Sequence, residues 1–138
     1  NPMSRGQIAR WALHEAGADY EQHLLDYGTT MKAPEFLAIN PMGKVPAIVH
    51  DGKVVTECAA ICAYLADAFP TAGLQPTADE CADYYRWMFF AAGPVEAAIT
   101  NRMLGVEVPQ EREMSAGYGN YDHMVLALEG ALPGKDFI

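Results

Sequence analysis

Three short stretches hold residues whose types and order could do chemistry. The first is Met3-Ser4-Arg5. Ser4 stands just ahead of a helical pattern running from Arg5 to Ala16, closed by Gly17. A hydroxyl there can cap the helix, or it can hydrogen-bond an anion drawn to the same helix start. The second stretch is Val45-Pro46, between a turn at Pro41 and Gly43 and the apolar run Ala47-Ile48-Val49-His50. Proline at the head of a strand has no N–H to give to a ladder, and X-Pro is the bond that readily becomes cis, the form expected here. A bend fixed there leaves the Val45 N–H and C=O available to an extended ligand. The third is Thr56-Glu57-Cys58, which opens a helix. The first N–H groups of a helix are unpaired and partly positive, so they suit a carboxylate or phosphate. All three also fit an ordinary reading, in which a hairpin feeds a capped helix.

Other chemistries find little support. The three cysteines, Cys58, Cys62 and Cys81, include no C-x-x-C pair, and His14, His23, His50 and His123 are scattered. Neither a zinc site nor a redox dithiol is expected from such spacing. Cys58 and Cys62 share one helix face with apolar neighbours and read as small buried hydrophobes.

The elements that must position these residues follow from periodicity. In the first helix, Ile8, Trp11 and Ala12 are expected to face inward. Tyr20 to Leu25 can be a strand, and Pro34 suits the first turn of a short helix reaching Ile39. Asp51-Gly52 between two apolar runs is a strong hairpin signal, since a type I′ turn needs positive φ at both central residues. Cys58, Ile61, Cys62, Leu65 and Phe69 then recur at helical spacing. Pro70 to Pro76 reads as a linker. Beyond it, Thr77 or Asp79 can cap a long helix to about Asn101, with Tyr84, Trp87, Met88, Ala91, Val95, Ala98 and Ile99 in one stripe and a kink at Gly93-Pro94. Leu104 to Glu111 reads as a loop. Tyr118, Tyr121, Val125, Leu128 and Leu132 mark a last amphipathic helix, stopped by Pro133-Gly134.

Composition narrows the partners. A net charge of −9 argues against nucleic acid and anionic membranes. No apolar run approaches the roughly 20 residues of a membrane helix. Any site for an anionic ligand must therefore be locally positive, from Arg5, Arg10, Lys44 and the helix starts.

The run NPMGKVPAIVHDGKVVTECAAICAYLADAFP resembles the glutathione-binding half of glutathione S-transferases. The start, NPMSRGQIARWALHEAGADYE, resembles the Ser-type active-site loop and first helix of that family. DYYRWMFFAAGPVEAA is similar to the first helix of its all-helical domain, in a bacterial style. The resemblance implies an α/β thioredoxin-like domain over 1–72 and part of an all-α domain over 73–138. It also implies a central strand before Asn1 and further helices after Ile138, so the chain is expected to be incomplete at both ends.

By the same resemblance the activity is conjugation of the glutathione thiolate to an electrophilic small molecule, with glutathione as co-substrate and no metal. Ser4 matches the catalytic serine; Asn1, whose amide can also donate, is the alternative. Val45 and Pro46 would hold the cysteinyl backbone, and the Glu57-Cys58 helix start the γ-glutamyl end. Lys44 would meet the glycyl carboxylate. Met3, Tyr84 and Met88 would line the electrophile pocket. Cys58 departs from the family, which places a serine there; a thiol is the poorer donor. The resemblance further implies a cytoplasmic homodimer. Two rival expectations stand beside it. One is a non-catalytic binding or scaffold protein of the same fold. The other is a thioredoxin-type oxidoreductase, which would want a cysteine near Ser4, where none stands.

Overall fold

The computed structural model describes residues 3–135 and 138. Asn1, the alternative to Ser4, lies outside the described residues. The chain divides into two compact units, Asn1–Gln75 and Pro76–Ile138.

The first unit is built on a helix pair and a hairpin. Helix α1 spans Gly6–Glu15, a short helix α2 spans Pro34–Leu37 with proline in its first turn, and helix α3 spans Cys58–Ala68. Strands β1, Ala47–His50, and β2, Lys53–Thr56, pair antiparallel. Asp51 and Gly52 both have positive φ, 50° and 74°, as the two-residue turn requires. Side chains alternate across the pleat. Ile48 and Val55, opposite each other, pack toward the core, while Val49 and Val54 face outward.

The core joins Ala9 and Ala16 of the α1 region to Ile61 and Leu65 of α3. Ile61 and Leu65 are 0% and 1% exposed, and each such burial contributes about 1.5–3 kcal/mol. His50 closes one side: its Nδ1 is 2.8 Å from the Tyr64 hydroxyl and its ring stacks on Phe69.

Two expectations for this unit are corrected. The inward stripe of α1 is Ala9, Ala12, Leu13 and Ala16, whereas Ile8 and Trp11 are 41% and 68% exposed. The two stripes lie one residue apart on the helix. The alanine stripe wins because small side chains let α3 approach closely, and the Trp11 indole N–H instead donates to Glu15 Oε1 at 2.8 Å. Tyr20 to Leu25 forms no strand. A strand exists through its ladder, and among the described residues β1 and β2 pair only with each other.

The second unit is helical. Helix α4 spans Cys81–Phe90, α5 spans Glu96–Met103 and α6 spans Tyr121–Ala131. The Glu80 carboxylate accepts hydrogen bonds from the Thr77 N–H and hydroxyl at 2.9 and 2.7 Å, a clasp that starts the first turn. Between α4 and α5 the expected kink is instead a π-helical segment, Ala91–Val95, containing Pro94. Proline has no N–H for the usual bond four residues back, and a wider turn accommodates it. The single stripe expected through this region is accordingly broken: Ala98 is buried and Ile99 is exposed. The expected loop from Leu104 to Glu111 runs at its end into a 3₁₀ segment, Gln110–Ser115. Asn120 caps α6 by accepting from the His123 N–H at 2.9 Å. Among the described residues, no helix is long and apolar enough to cross a membrane.

Candidate functional site

The hairpin register gathers two of the three chemical stretches. Ala47 lies opposite Thr56, so Val45-Pro46 and Glu57-Cys58 leave the hairpin at the same open end. The Val45–Pro46 peptide is cis. Val45 is half-buried, and its N–H and C=O take no part in the backbone hydrogen bonding of the described residues.

The third stretch joins them through the start of α1. Cys58 Sγ lies 3.8 Å from the Arg5 carbonyl oxygen, to which the thiol donates. Cys58 is the first residue of α3 and Arg5 precedes the first residue of α1. Two helix starts therefore meet beside Ser4. Each helix start favours a nearby anion by about 0.3–1 kcal/mol, which supplies local positive potential on a chain of net charge −9. Ser4 is half-buried, and its Oγ accepts from the Gly6 N–H at 3.2 Å. A Cβ on Gly6 would come within 3.0 Å of that oxygen, so the residue after Arg5 leaves room for the hydroxyl.

Glu57 is exposed and has φ 67° and ψ 126°, outside the regions that residues with a Cβ ordinarily occupy. Its side chain makes no cap bond to α3. The Glu57 carbonyl, however, accepts from the Ile61 N–H at 2.9 Å, so the twisted residue is tied into the helix it opens. Lys44 is exposed, and its carbonyl is held by the Asn40 amide at 2.8 Å. Burial pushes the Cys62 thiol up from its ordinary pKa, which keeps it protonated and poorly nucleophilic. Of the residues expected in an electrophile pocket, Met3 is exposed in the first unit. Tyr84 and Met88 are half-buried on α4 in the second, where Tyr84 packs edge-on against Tyr85. Arg10 lies on the exposed side of α1 with Trp11 and His14, lining a shallow cavity there. Among the described residues, no three of His, Cys, Asp and Glu are grouped to hold a metal.

Two residues with a hand in this site escaped the sequence reading. Asn40 is 6% exposed and closes the turn before Val45, accepting from the Met42 N–H at 3.1 Å while its amide donates to Lys44. The signal was the Asn-Pro pair, since asparagine side chains readily bond the backbone two residues on. Lys32 donates to the carbonyls of Met42 and Gly43 at 3.2 and 2.9 Å. No local pattern announces that contact.

Comparison with known proteins defines the class. Residues 1–67 match the family described as glutathione S-transferase, N-terminal domain. A sphingomonad glutathione S-transferase, solved in complex with glutathione, superimposes with a TM-score of 0.72 at 31% identity, covering 97% of this chain and 70% of that one. A glutathione transferase from Methylococcus capsulatus gives 0.71 at 31% identity, covering 91% and 64%. In sequence, Protein LigF of a Sphingobium species is 48% identical over 62 residues, 44% of this chain and 24% of that protein. Glutathione S-transferase GST-4.5 of Xanthomonas campestris is 38% identical over 85 residues, 60% and 39%. This chain belongs to the glutathione S-transferase family, and its first unit has that family's thioredoxin-like N-terminal fold, followed by helices. The matched regions span 24% and 39% of those two curated relatives.

Proposed function

We propose that this chain carries the glutathione site of a transferase that joins the glutathione thiolate to an electrophilic small molecule. The supporting observation is the meeting of the α1 and α3 starts, with Cys58 Sγ 3.8 Å from the Arg5 carbonyl beside Ser4. In the sphingomonad relative, glutathione is the ligand.

In this reading glutathione lies extended. Its cysteinyl amide and carbonyl pair with the Val45 C=O and N–H beside Pro46. Its γ-glutamyl carboxylate rests on the first N–H groups of α3, with Glu57 facing the ammonium, and Lys44 meets the glycyl carboxylate. The Ser4 hydroxyl turns from its local bond to donate to the thiolate. A free thiol is mostly protonated at neutral pH, and lowering its pKa by about two units takes roughly 2.7 kcal/mol. One hydrogen bond to a charged group, together with a helix start, is of that order. The thiolate then attacks the electrophile near Met3, Tyr84 and Met88. Residues 1–72 form the glutathione-binding domain and 73–138 part of the helical one. The free thiols Cys58, Cys62 and Cys81 suit a reducing cytoplasm, where the protein works in detoxification as a homodimer.

The test is Ser4→Ala. Steady-state conjugation of a chloronitrobenzene should slow by one to two orders of magnitude, about 1.4–2.7 kcal/mol of transition-state stabilisation. Binding of an unreactive S-alkyl glutathione should change little. Unchanged turnover would remove Ser4 from the mechanism. Binding without any conjugation in the unsubstituted protein would favour the non-catalytic alternative.

A further inference from the structure

The turn that presents Val45 is gripped from two sides. From within, the buried Asn40 receives the Met42 N–H on its side-chain oxygen and the Gly43 N–H on its own carbonyl, at 3.1 and 2.8 Å. Its amide reaches the Lys44 carbonyl at 2.8 Å. From outside comes Lys32, whose Nζ donates to the two successive carbonyls of Met42 and Gly43. Gly43, at φ 56°, makes this possible, since a Cβ there would stand 2.7 Å from the ammonium nitrogen and 3.0 Å from Leu37 Cδ2.

Lysine ammonium groups ordinarily stay in water, and holding one still costs side-chain entropy. This one makes no ion pair among the described residues; its charge is spent on backbone dipoles. The Gly43 carbonyl belongs to the same rigid peptide plane as the Lys44 N–H. Fixing that plane leaves few free dihedrals before Val45.

We infer that Lys32 is a positioning residue for glutathione, which through the Met42 and Gly43 carbonyls sets the direction of the Val45 N–H and C=O. The inference rests on the glutathione reading above. Its consequence is selective: Lys32 governs how well the extended peptide docks, while the thiolate, held at Ser4, is untouched.

The experiment uses Lys32→Met, which keeps the stem and removes the charge, and Lys32→Arg, which restores donors. The substrates are glutathione and its glycyl monoethyl ester. For Lys32→Met, KM should rise about five- to tenfold for both thiols, with kcat, its pH profile and the electrophile's KM unchanged. Lys32→Arg should recover most of the loss. NMR order parameters at residues 43–45 should fall in ligand-free Lys32→Met and not in Lys32→Arg. A penalty for glutathione alone, absent with the ester, would mean that Lys32 meets the glycyl carboxylate directly, and the inference fails. It also fails if neither KM moves, or if kcat falls in step with KM. If the unsubstituted protein binds no glutathione, the functional reading fails on that measurement. The order parameters then decide separately whether Lys32 fixes the turn.

Discussion

Replacing Glu57 by glycine and by alanine separates its backbone role from that of its carboxylate. At φ 67° and ψ 126° the residue lies where a Cβ is crowded, and such positions cost about 1–3 kcal/mol. Alanine keeps the Cβ and its crowding. Glycine removes both but gives up more chain freedom on folding, about 0.5–1 kcal/mol relative to alanine. The Glu57 side chain makes no cap bond to α3, so its loss adds little to either variant. The difference leaves Glu57→Gly more stable than Glu57→Ala by about 0.5–2 kcal/mol. Urea unfolding followed by Trp11 fluorescence in a Trp87→Phe background reads the first unit alone. Both variants should lose glutathione affinity to the same extent, because both lack the carboxylate proposed to face the ammonium. An alanine variant as stable as the glycine variant would refute the backbone argument. Unequal losses of affinity between the two would refute the assignment of the carboxylate.

Two further outcomes are expected. Cys58→Ser should tighten glutathione binding several-fold by calorimetry, since a hydroxyl is a better donor to a carboxylate than a thiol. Weaker binding with a lower unfolding midpoint would instead make the Cys58 contact with Arg5 a packing feature. The hydrogen bonds from Thr77 hold the Glu80 carboxyl below the usual glutamate range. A depressed pKa stabilises the fold above the unfolded value and ceases to do so as pH falls through the folded one. Loss of second-unit stability on acidification should therefore be shallower in Glu80→Gln than in the unsubstituted chain, measured by circular dichroism; identical acid profiles would discount the clasp.

What could be read from the sequence was what lies close together in it. The hairpin was legible because Asp51-Gly52 and the alternation around it are local. Ser4, Val45-Pro46 and Glu57-Cys58 each stood out for the same reason. Their convergence was not legible from the residues themselves. Cys58 and Arg5 are 53 positions apart, and only resemblance to a known family suggested that they share a site. Lys32 was missed because its partners are carbonyls ten and eleven residues on, and every residue type offers a carbonyl. The inward face of α1 was misjudged by ranking side chains on hydrophobicity. What decides between adjoining stripes is how closely a second helix must approach, and that is a property of α3.

The π-helical segment Ala91–Val95 changes the meaning of small length changes in this chain. An α-helix advances by about 100° per residue. A turn wound one residue wider acts as a local insertion and sets the phase of everything that follows. Deleting one residue between Ala91 and Val95 would let ordinary winding resume, and α5, Glu96–Met103, would turn by about 100° around its axis with hardly any change in length. Ala98, now 1% exposed, would swing off its buried face. For this region a one-residue deletion is a rotation, and aligning it with a shorter relative by hydrophobic pattern alone would pair the wrong faces of the helix.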